Sequence, residues 1–244
     1  MTQPDVISPT SRLHLLGRFM LFNADRPVPV TAIGAKLFAV LALHRRPMPR
    51  PLLAETIWPD RPSGRARANL RSVIWRLPEP SRRLLREDGE FLTLRPGVVV
   101  DVDQVVQRCH SLLATNCDPG PVVGSPDDLL DDLLPTWDDD WVLVERARLR
   151  QLRLHALEAL SAGLLRAGRV GEAMDAAAAA LAAEPLRDSA ARAVISVHLA
   201  SGNVAHAHRV YRTYRAELVR ELGIEPSPRL LALLQDGDRQ MTTG

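Results

Sequence analysis

The stretch Ser63-Gly-Arg-Ala-Arg-Ala-Asn-Leu-Arg-Ser-Val-Ile-Trp-Arg-Leu77 reads as a helix with one apolar face and one arginine-rich face. Ala66, Leu70, Val73, Ile74 and Leu77 recur at three- and four-residue spacing, so they share one side. Arg65, Asn69, Ser72 and Arg76 fall near the other side, flanked by Ala68, Arg71 and Trp75. Ser63 is a suitable N-cap and Pro78 stops the helix. A helix that buries one stripe and offers Arg, Asn and Ser on the other suits a DNA major groove. Taken alone, the stretch fits a solvated amphipathic helix equally well, so its surroundings decide.

Upstream, His14 to Phe22 is apolar apart from a Gly-Arg interruption and reads as a strand. Pro27 and Pro29 make Arg26 to Val30 an extended piece. Leu37, Phe38, Val40, Leu41 and Leu43 give Ala35 to His44 a broad buried helical face. A second short helix covers Pro51 to Trp58, with proline well placed at its start. Pro59-Asp-Arg-Pro62 is the turn into the arginine helix. Downstream, Arg82 to Arg86 lead into Glu87-Asp-Gly-Glu90 and Phe91 to Leu94, and Asp88-Gly89 signals a hairpin. Val98 to Val100 is expected to continue that sheet.

Strands, three helices and a hairpin are the layout of a winged helix-turn-helix, with the third helix in the groove and the hairpin as the wing. Arg82, Arg83, Arg86 and Arg95 of the wing region and Arg50 at the second helix are candidate phosphate contacts. Amides at the N-terminus of the third helix offer another phosphate site. With Ser63, Arg65, Arg67, Asn69, Arg71, Ser72, Trp75 and Arg76, these form the candidate DNA-binding set. Arg65 and Asn69 are placed nearer the bases and Arg76 nearer phosphate.

Charge supports this division. The chain of 244 residues has a net charge of only +2, yet residues 1–100 carry 16 Lys+Arg against 8 Asp+Glu, and the remainder 15 against 21. A basic first half suits a polyanion and an acidic second half does not. Lys36 is the single lysine, so arginine abundance also reflects coding composition and is weak evidence of recognition.

The second half begins with a helix over Asp103 to Leu113 and a Pro/Gly-rich loop over Asn116 to Pro126. An acidic stretch, Asp127 to Trp141, lacks the alternation and turn glycine of a cation loop. It reads as a solvated loop pinned by Trp137 and Trp141. Helices then follow one another. Gly168-Arg-Val-Gly-Glu-Ala173 recurs 34 residues on as Gly202-Asn-Val-Ala-His-Ala207, with Leu165 over Leu199 and Ala156 over Ala190. That period marks tetratricopeptide-like (TPR-like) helix pairs, in which the glycine ends a helix and the small alanine allows close packing. Ala176 to Ala183 is an alanine-rich helix ended near Pro185. Stacked repeats make a binding surface for protein or peptide.

An enzyme is not expected: no P-loop, G-x-S-x-G, H-E-x-x-H or CxxC pattern occurs. Cys109, His110 and Cys117 fit no compact zinc spacing, and His206 and His208 read as surface residues. Neither a metal nor a cofactor is expected. No run reaches membrane-spanning length, and Met1 to Ser11 lacks a signal-peptide core, so a cytoplasmic, nucleoid-associated protein is expected.

Leu15-Leu-Gly17, Leu37 to Leu43, Leu53-Ala-Glu-Thr-Ile-Trp58 and Asn69 to Leu77 resemble the OmpR-type DNA-binding domain of the Streptomyces antibiotic regulatory protein (SARP) family. At the wing, Glu90-Phe91-Leu92-Thr-Leu94 stands where that family has Gly-Tyr-x-Leu, so the ring stays and the hydroxyl is lost. Val100-Asp101 matches the family's Val-Asp, while Val105 or Val106 replaces a usual aromatic. In the second half, Leu134 to Val142, Glu145 to Leu149, Glu184 to Asp188, Tyr211 to Leu218 and Glu221 to Pro228 resemble its bacterial transcriptional activation domain. Ala191-Arg192 stands where many members carry histidine.

The resemblance covers roughly residues 12–236. It implies a mainly α protein with a small β component: a winged-helix DNA-binding domain over 12–101 and a TPR-like activation domain over 102–240. It further implies an activator that binds promoter direct repeats as a dimer and recruits RNA polymerase, typically for secondary-metabolite genes such as antibiotic biosynthesis. Neither a receiver nor an NTPase domain is expected. The alternative is a TPR-like interaction scaffold whose winged helix does not bind DNA.

Overall fold

A computed structural model describes residues 11–114 and 129–242 of the chain. The loop over Asn116 to Pro126, with Cys117, and the start of the acidic stretch at Asp127 and Asp128 lie outside the described residues. Contacts divide the chain into two compact units, residues 1–105 with 132–148, and residues 106–131 with 149–244.

The first unit opens with β1 (Arg12–His14), β2 (Met20–Asn23) and β3 (Arg26–Pro27). The expected single strand over His14 to Phe22 is a hairpin instead. Gly17 takes a positive φ of 72°, which turns the chain, and Leu13 of β1 faces Leu21 of β2. Glycine adopts that conformation without a Cβ clash. The helices α1 (Ala32–His44), α2 (Arg50–Ile57) and α3 (Ser63–Arg76) follow, with β4 (Met48–Pro49) between the first two. Thr31 caps α1: its hydroxyl oxygen accepts the Gly34 N–H at 3.2 Å. A Cβ on Gly34 would lie 3.2 Å from a methyl of Leu77, so glycine lets α1 approach the end of α3.

A short helix, α4 (Glu79–Arg82), precedes the wing strands β5 (Leu85–Asp88) and β6 (Phe91–Leu94). Arg82 and Arg83 therefore belong to α4 and its C-cap rather than to the hairpin. The last strand, β7 (Val99–Val100), does not extend the wing. It lies parallel to β1, pairing Leu13 with Val100, in a sheet of order β3-β2-β1-β7. The wing sheet has order β4-β6-β5. Pro27 and Pro49 both lie on edge strands, where a missing N–H costs no ladder bond.

Residues 132–148, expected with the second half, pack into this first unit. The Gly17 N–H donates to the Asp132 carbonyl at 2.8 Å and the Leu134 N–H to the Leu15 carbonyl at 2.9 Å. Leu133 and Leu134 are buried. Trp137 stacks on Phe19 with ring centroids 6.1 Å apart, and Lys36 reaches Asp139 at 2.5 Å. The Arg146 guanidinium donates to the carbonyls of Leu133, Leu134 and Trp137, holding the whole turn. The described part of the acidic stretch is thus a packed segment, not a solvated loop. Its aspartates made it look polar, but the intervening leucines and tryptophan carry the burial.

The helices are α5 (Asp101–Ala114), α6 (Asp140–Arg166), α7 (Val170–Ala183), α8 (Asp188–Ala200), α9 (Val204–Leu222) and α10 (Pro228–Thr242). Two of the three unit boundaries fall within α5 and α6, and the third lies between those helices, at 131/132. In the second unit the 34-residue period is visible in the backbone. Gly168 follows α6 with φ 74° and Gly202 follows α8 with φ 71°. Ala173 and Ala207, at matching places in α7 and α9, are fully buried. One core joins Leu160 and Leu164 to Ala173, Ala176, Ala177, Val194 and Val197. A second joins Ala191, Ile195 and Ala207 to Tyr214, Leu218, Leu230 and Leu234. Cys109 is buried, and burial pushes its thiol pKa up, as expected of a packing cysteine.

Candidate nucleic-acid interface

The apolar stripe of α3 is buried as its periodicity requires: Ala66, Leu70, Ile74 and the following Leu77 are inside, and Val73 is half-buried. The rest of the helix faces solvent. Arg65, Arg67, Asn69, Arg71, Ser72, Trp75 and Arg76 are all exposed, and Trp75 reaches 75%. Among the described residues Arg65, Arg71 and Arg76 have no carboxylate partner. Arg67 bends back, its Nε donating to the Ser63 carbonyl at 3.3 Å.

Ser63 is not the N-cap. Pro62 holds that position in an extended conformation, and Ser63 is the first helical residue. The Ser63 hydroxyl instead donates to the Glu55 carboxylate of α2 at 3.1 Å, linking the two helices of the turn. The N–H groups of Ser63 and Gly64 precede the first intrahelical bond, and a Cβ at Gly64 would meet no atom within 4 Å. The mouth of α3 is therefore both open and rich in donors. Arg61, exposed in the turn before α3, was not in the sequence-derived set, although its place one residue ahead of Pro62 was a usable signal.

The wing is less uniform. Asp88 pairs with Phe91, so the two loop residues are Gly89, with φ 56°, and Glu90. The turn lies one residue later than the Asp88-Gly89 expected from composition, with glycine at its first central position. Arg82, Arg86 and Arg95 are exposed, while Arg83 is paired with Glu79 of its own helix. Arg50 is paired with Glu87 of β5. The exposed tip carries Asp88 and Glu90 on either side of Gly89, an acidic pair that the count of basic residues had hidden, with Glu87 behind them held by Arg50.

Two contacts explain positions the family resemblance singled out. The Asp101 carboxylate accepts the N–H groups of Leu15 at 2.9 Å, Leu16 at 3.0 Å and Val102 at 2.8 Å. In the second unit, Asp188 accepts both the Ser227 N–H at 3.1 Å and the Ser227 hydroxyl at 2.8 Å, so the Glu184–Asp188 and Glu221–Pro228 stretches meet. Among the described residues no group of His, Cys, Asp and Glu is placed to hold a metal ion, and no helix is long and apolar enough to cross a membrane.

A winged helix-turn-helix followed by a helical module is an arrangement that DNA-reading proteins use. Known proteins share it in whole or in part. Residues 127–236 match the family model of the bacterial transcriptional activator domain. The regulatory protein DnrI of Streptomyces peucetius is 26% identical, over 90% of this chain and 89% of that protein. The fold is that of Mycobacterium tuberculosis EmbR, solved in complex with a low-affinity phosphopeptide, with a TM-score of 0.79 and 22% identity over 95% of this chain. This chain spans 65% of the EmbR chain. The chain is thus similar to SARP-type transcriptional regulators, over most of its length for DnrI and over residues 127–236 for the activator domain.

Proposed function

We propose that this protein is a sequence-specific DNA-binding transcriptional activator. Residues 12–101 serve as its DNA-reading module and residues 102–240 as its activation module. The observation that carries the reading is the division of α3: one stripe fully buried, and Arg65, Asn69, Arg71, Ser72 and Arg76 left exposed on the remaining surface. In a major groove, an exposed arginine can donate two hydrogen bonds to guanine O6 and N7, and asparagine can pair with adenine. Arg65 and Asn69 lie on the open N-terminal half of the helix and are assigned to bases. Arg76 at the far end is assigned to phosphate. Arg82, Arg86 and Arg95 add phosphate contacts that set register without reading sequence.

The similarity to SARP-type regulators supports the finer reading: two copies on tandem direct repeats at a promoter, contact between the second module and RNA polymerase, and secondary-metabolite genes as targets. Action in the cytoplasm, at the nucleoid, follows from the same role. The acidic wing tip of Asp88 and Glu90 favours a second reading, a winged helix that contacts protein, because those carboxylates would repel phosphate.

A mobility-shift titration of the full chain on its own promoter at two salt concentrations separates the two. The activator requires binding that weakens steeply as salt rises, since phosphate contacts release counterions. Absence of binding to promoter and bulk DNA at low salt would select the scaffold.

A further inference from the structure

The face of α3 that points away from the core has an order of its own. At about 100° per residue, Arg65, Ala68, Ser72 and Trp75 fall within about 40° of the direction opposite the buried Leu70, so they form one line along the helix. Asn69 and Arg76 lie about 60–80° to one side of that line, and Arg71 about 80° to the other.

Two residues on the line are apolar. Trp75 is 75% exposed and makes no hydrogen bond or ring contact among the described residues. Ala68 is half-buried and ends in a methyl, the shortest side chain on the line. Helical side chains lean towards the N-terminus, which sets the indole over the turn of Arg71 and Ser72 rather than beyond the end of α3. An apolar protein face is a poor match for such a surface, because it would strip water from the guanidiniums of Arg71 and Arg76 without pairing them. A DNA major groove offers both chemistries. Phosphates run along its two rims, and its floor presents hydrogen-bonding base edges and the C5 methyl of each thymine. The line on α3 has matching parts: donors at Arg65 and Ser72 alternate with apolar groups at Ala68 and Trp75, and arginines flank it on both sides. From Ala68 to Trp75 the helix rises about 10 Å, the height of about three stacked base pairs.

We propose that Ala68 and Trp75 read thymine. The Ala68 methyl and the Trp75 ring each lie against a thymine C5 methyl, the two thymines being about three base pairs apart. The short Ala68 lets the N-terminal half of α3 approach the base edges, and the long indole spans the gap where the helix tilts away. The inference deepens the DNA-reading role proposed for α3 and rests on it. It adds apolar recognition to the hydrogen bonding assigned to Arg65 and Asn69.

The test changes the DNA rather than the protein. Replacing a thymine by deoxyuridine removes the C5 methyl and keeps the pairing and the charge. Fluorescence anisotropy of the full chain is measured on a labelled promoter duplex with one thymine replaced at a time. Losing a buried methyl is expected to weaken binding about fourfold at two thymines of a bound site, about three base pairs apart, and hardly at all at the others. Trp75→Ala should remove the penalty at one of these thymines, binding the thymine and uracil duplexes alike. Ala68→Gly should remove it at the other, with thermal melting of both variants checked in parallel. Should the glycine variant not fold, the parent's own profile across the uracil duplexes still decides. Equal binding by the parent to a duplex with every thymine replaced would overturn the proposal. So would a Trp75→Ala variant that binds like the parent, or one that keeps the whole uracil penalty, since the ring then meets protein or the sugar–phosphate backbone. Salt-sensitive promoter binding that ignores the methyls leaves the DNA-reading assignment standing and removes this inference alone. Absence of any promoter binding removes both.

Discussion

Asp101 holds Leu15 from 86 residues away, both carboxylate oxygens accepting the Leu15 N–H at 3.0 and 2.9 Å. The same carboxylate takes the Leu16 N–H and that of Val102 in the first turn of α5. It therefore ties the end of β1 to the helix that follows β7. Replacing it leaves half-buried donors without acceptors. Asp101→Ala is expected to destabilise the chain by about 1–3 kcal/mol, the cost of unsatisfied buried polar groups. Urea unfolding checks it, and a midpoint equal to the parent's would remove the structural role given to this carboxylate.

Arg65 and Arg71 are exposed on α3 and make no side-chain hydrogen bond or ion pair among the described residues. Arg65→Ala and Arg71→Ala should each weaken promoter binding by about 1–3 kcal/mol if they pair with base edges. Stability should stay within about 0.5 kcal/mol of the parent, as for ordinary surface changes. Mobility shift and thermal melting measure the two effects. If both variants bind like the parent, the reading face has been assigned wrongly.

Leu70 makes the opposite case on the same helix, being fully buried. Leu70→Ala should cost about 2–5 kcal/mol through lost burial and the cavity left behind. Chemical denaturation of the variant would show a negligible loss only if the α3 register were wrong.

His198 stacks on His206 with ring centroids 5.5 Å apart, and its Nδ1 is buried without a hydrogen bond. Burial first, and the charge of His206 second, lower its pKa below the ordinary 6.5. The unfolded chain thus takes up a proton that the folded chain resists. This contribution to stability is fully present above about pH 6.5 and is lost as pH falls below it. His198→Gln should flatten the fall in unfolding midpoint between neutral and mildly acidic pH. Parallel pH profiles for variant and parent would contradict the assignment.

Much of the architecture was legible because it follows local rules. Ala66, Leu70 and Ile74 had to share a face at 3.6 residues per turn, and they are the buried residues of α3. Gly168 and Gly202 sat 34 residues apart in equivalent strings and adopt nearly the same φ. The exposed candidates on α3 were readable for the same reason, since whatever is not on the buried stripe faces out. Ser63 misled because proline before it took the capping position and Glu55 captured its hydroxyl. Arg50 looked free because its partner, Glu87, lies 37 residues away on another element.

Periodicity, proline and glycine placement, and charge bias thus suffice for the first three helices, the wing hairpin, the 34-residue helical period and the polar face of α3. They act over one to a few turns of chain. The long-range pairings lie beyond them. Residues 132–148 join the first unit because Leu133, Leu134 and Trp137 find apolar surface there and Arg146 satisfies the carbonyls of their turn. Arg166 and Arg192 line one groove because α6 and α8 come together in space, an outcome of packing that spacing along the chain does not encode.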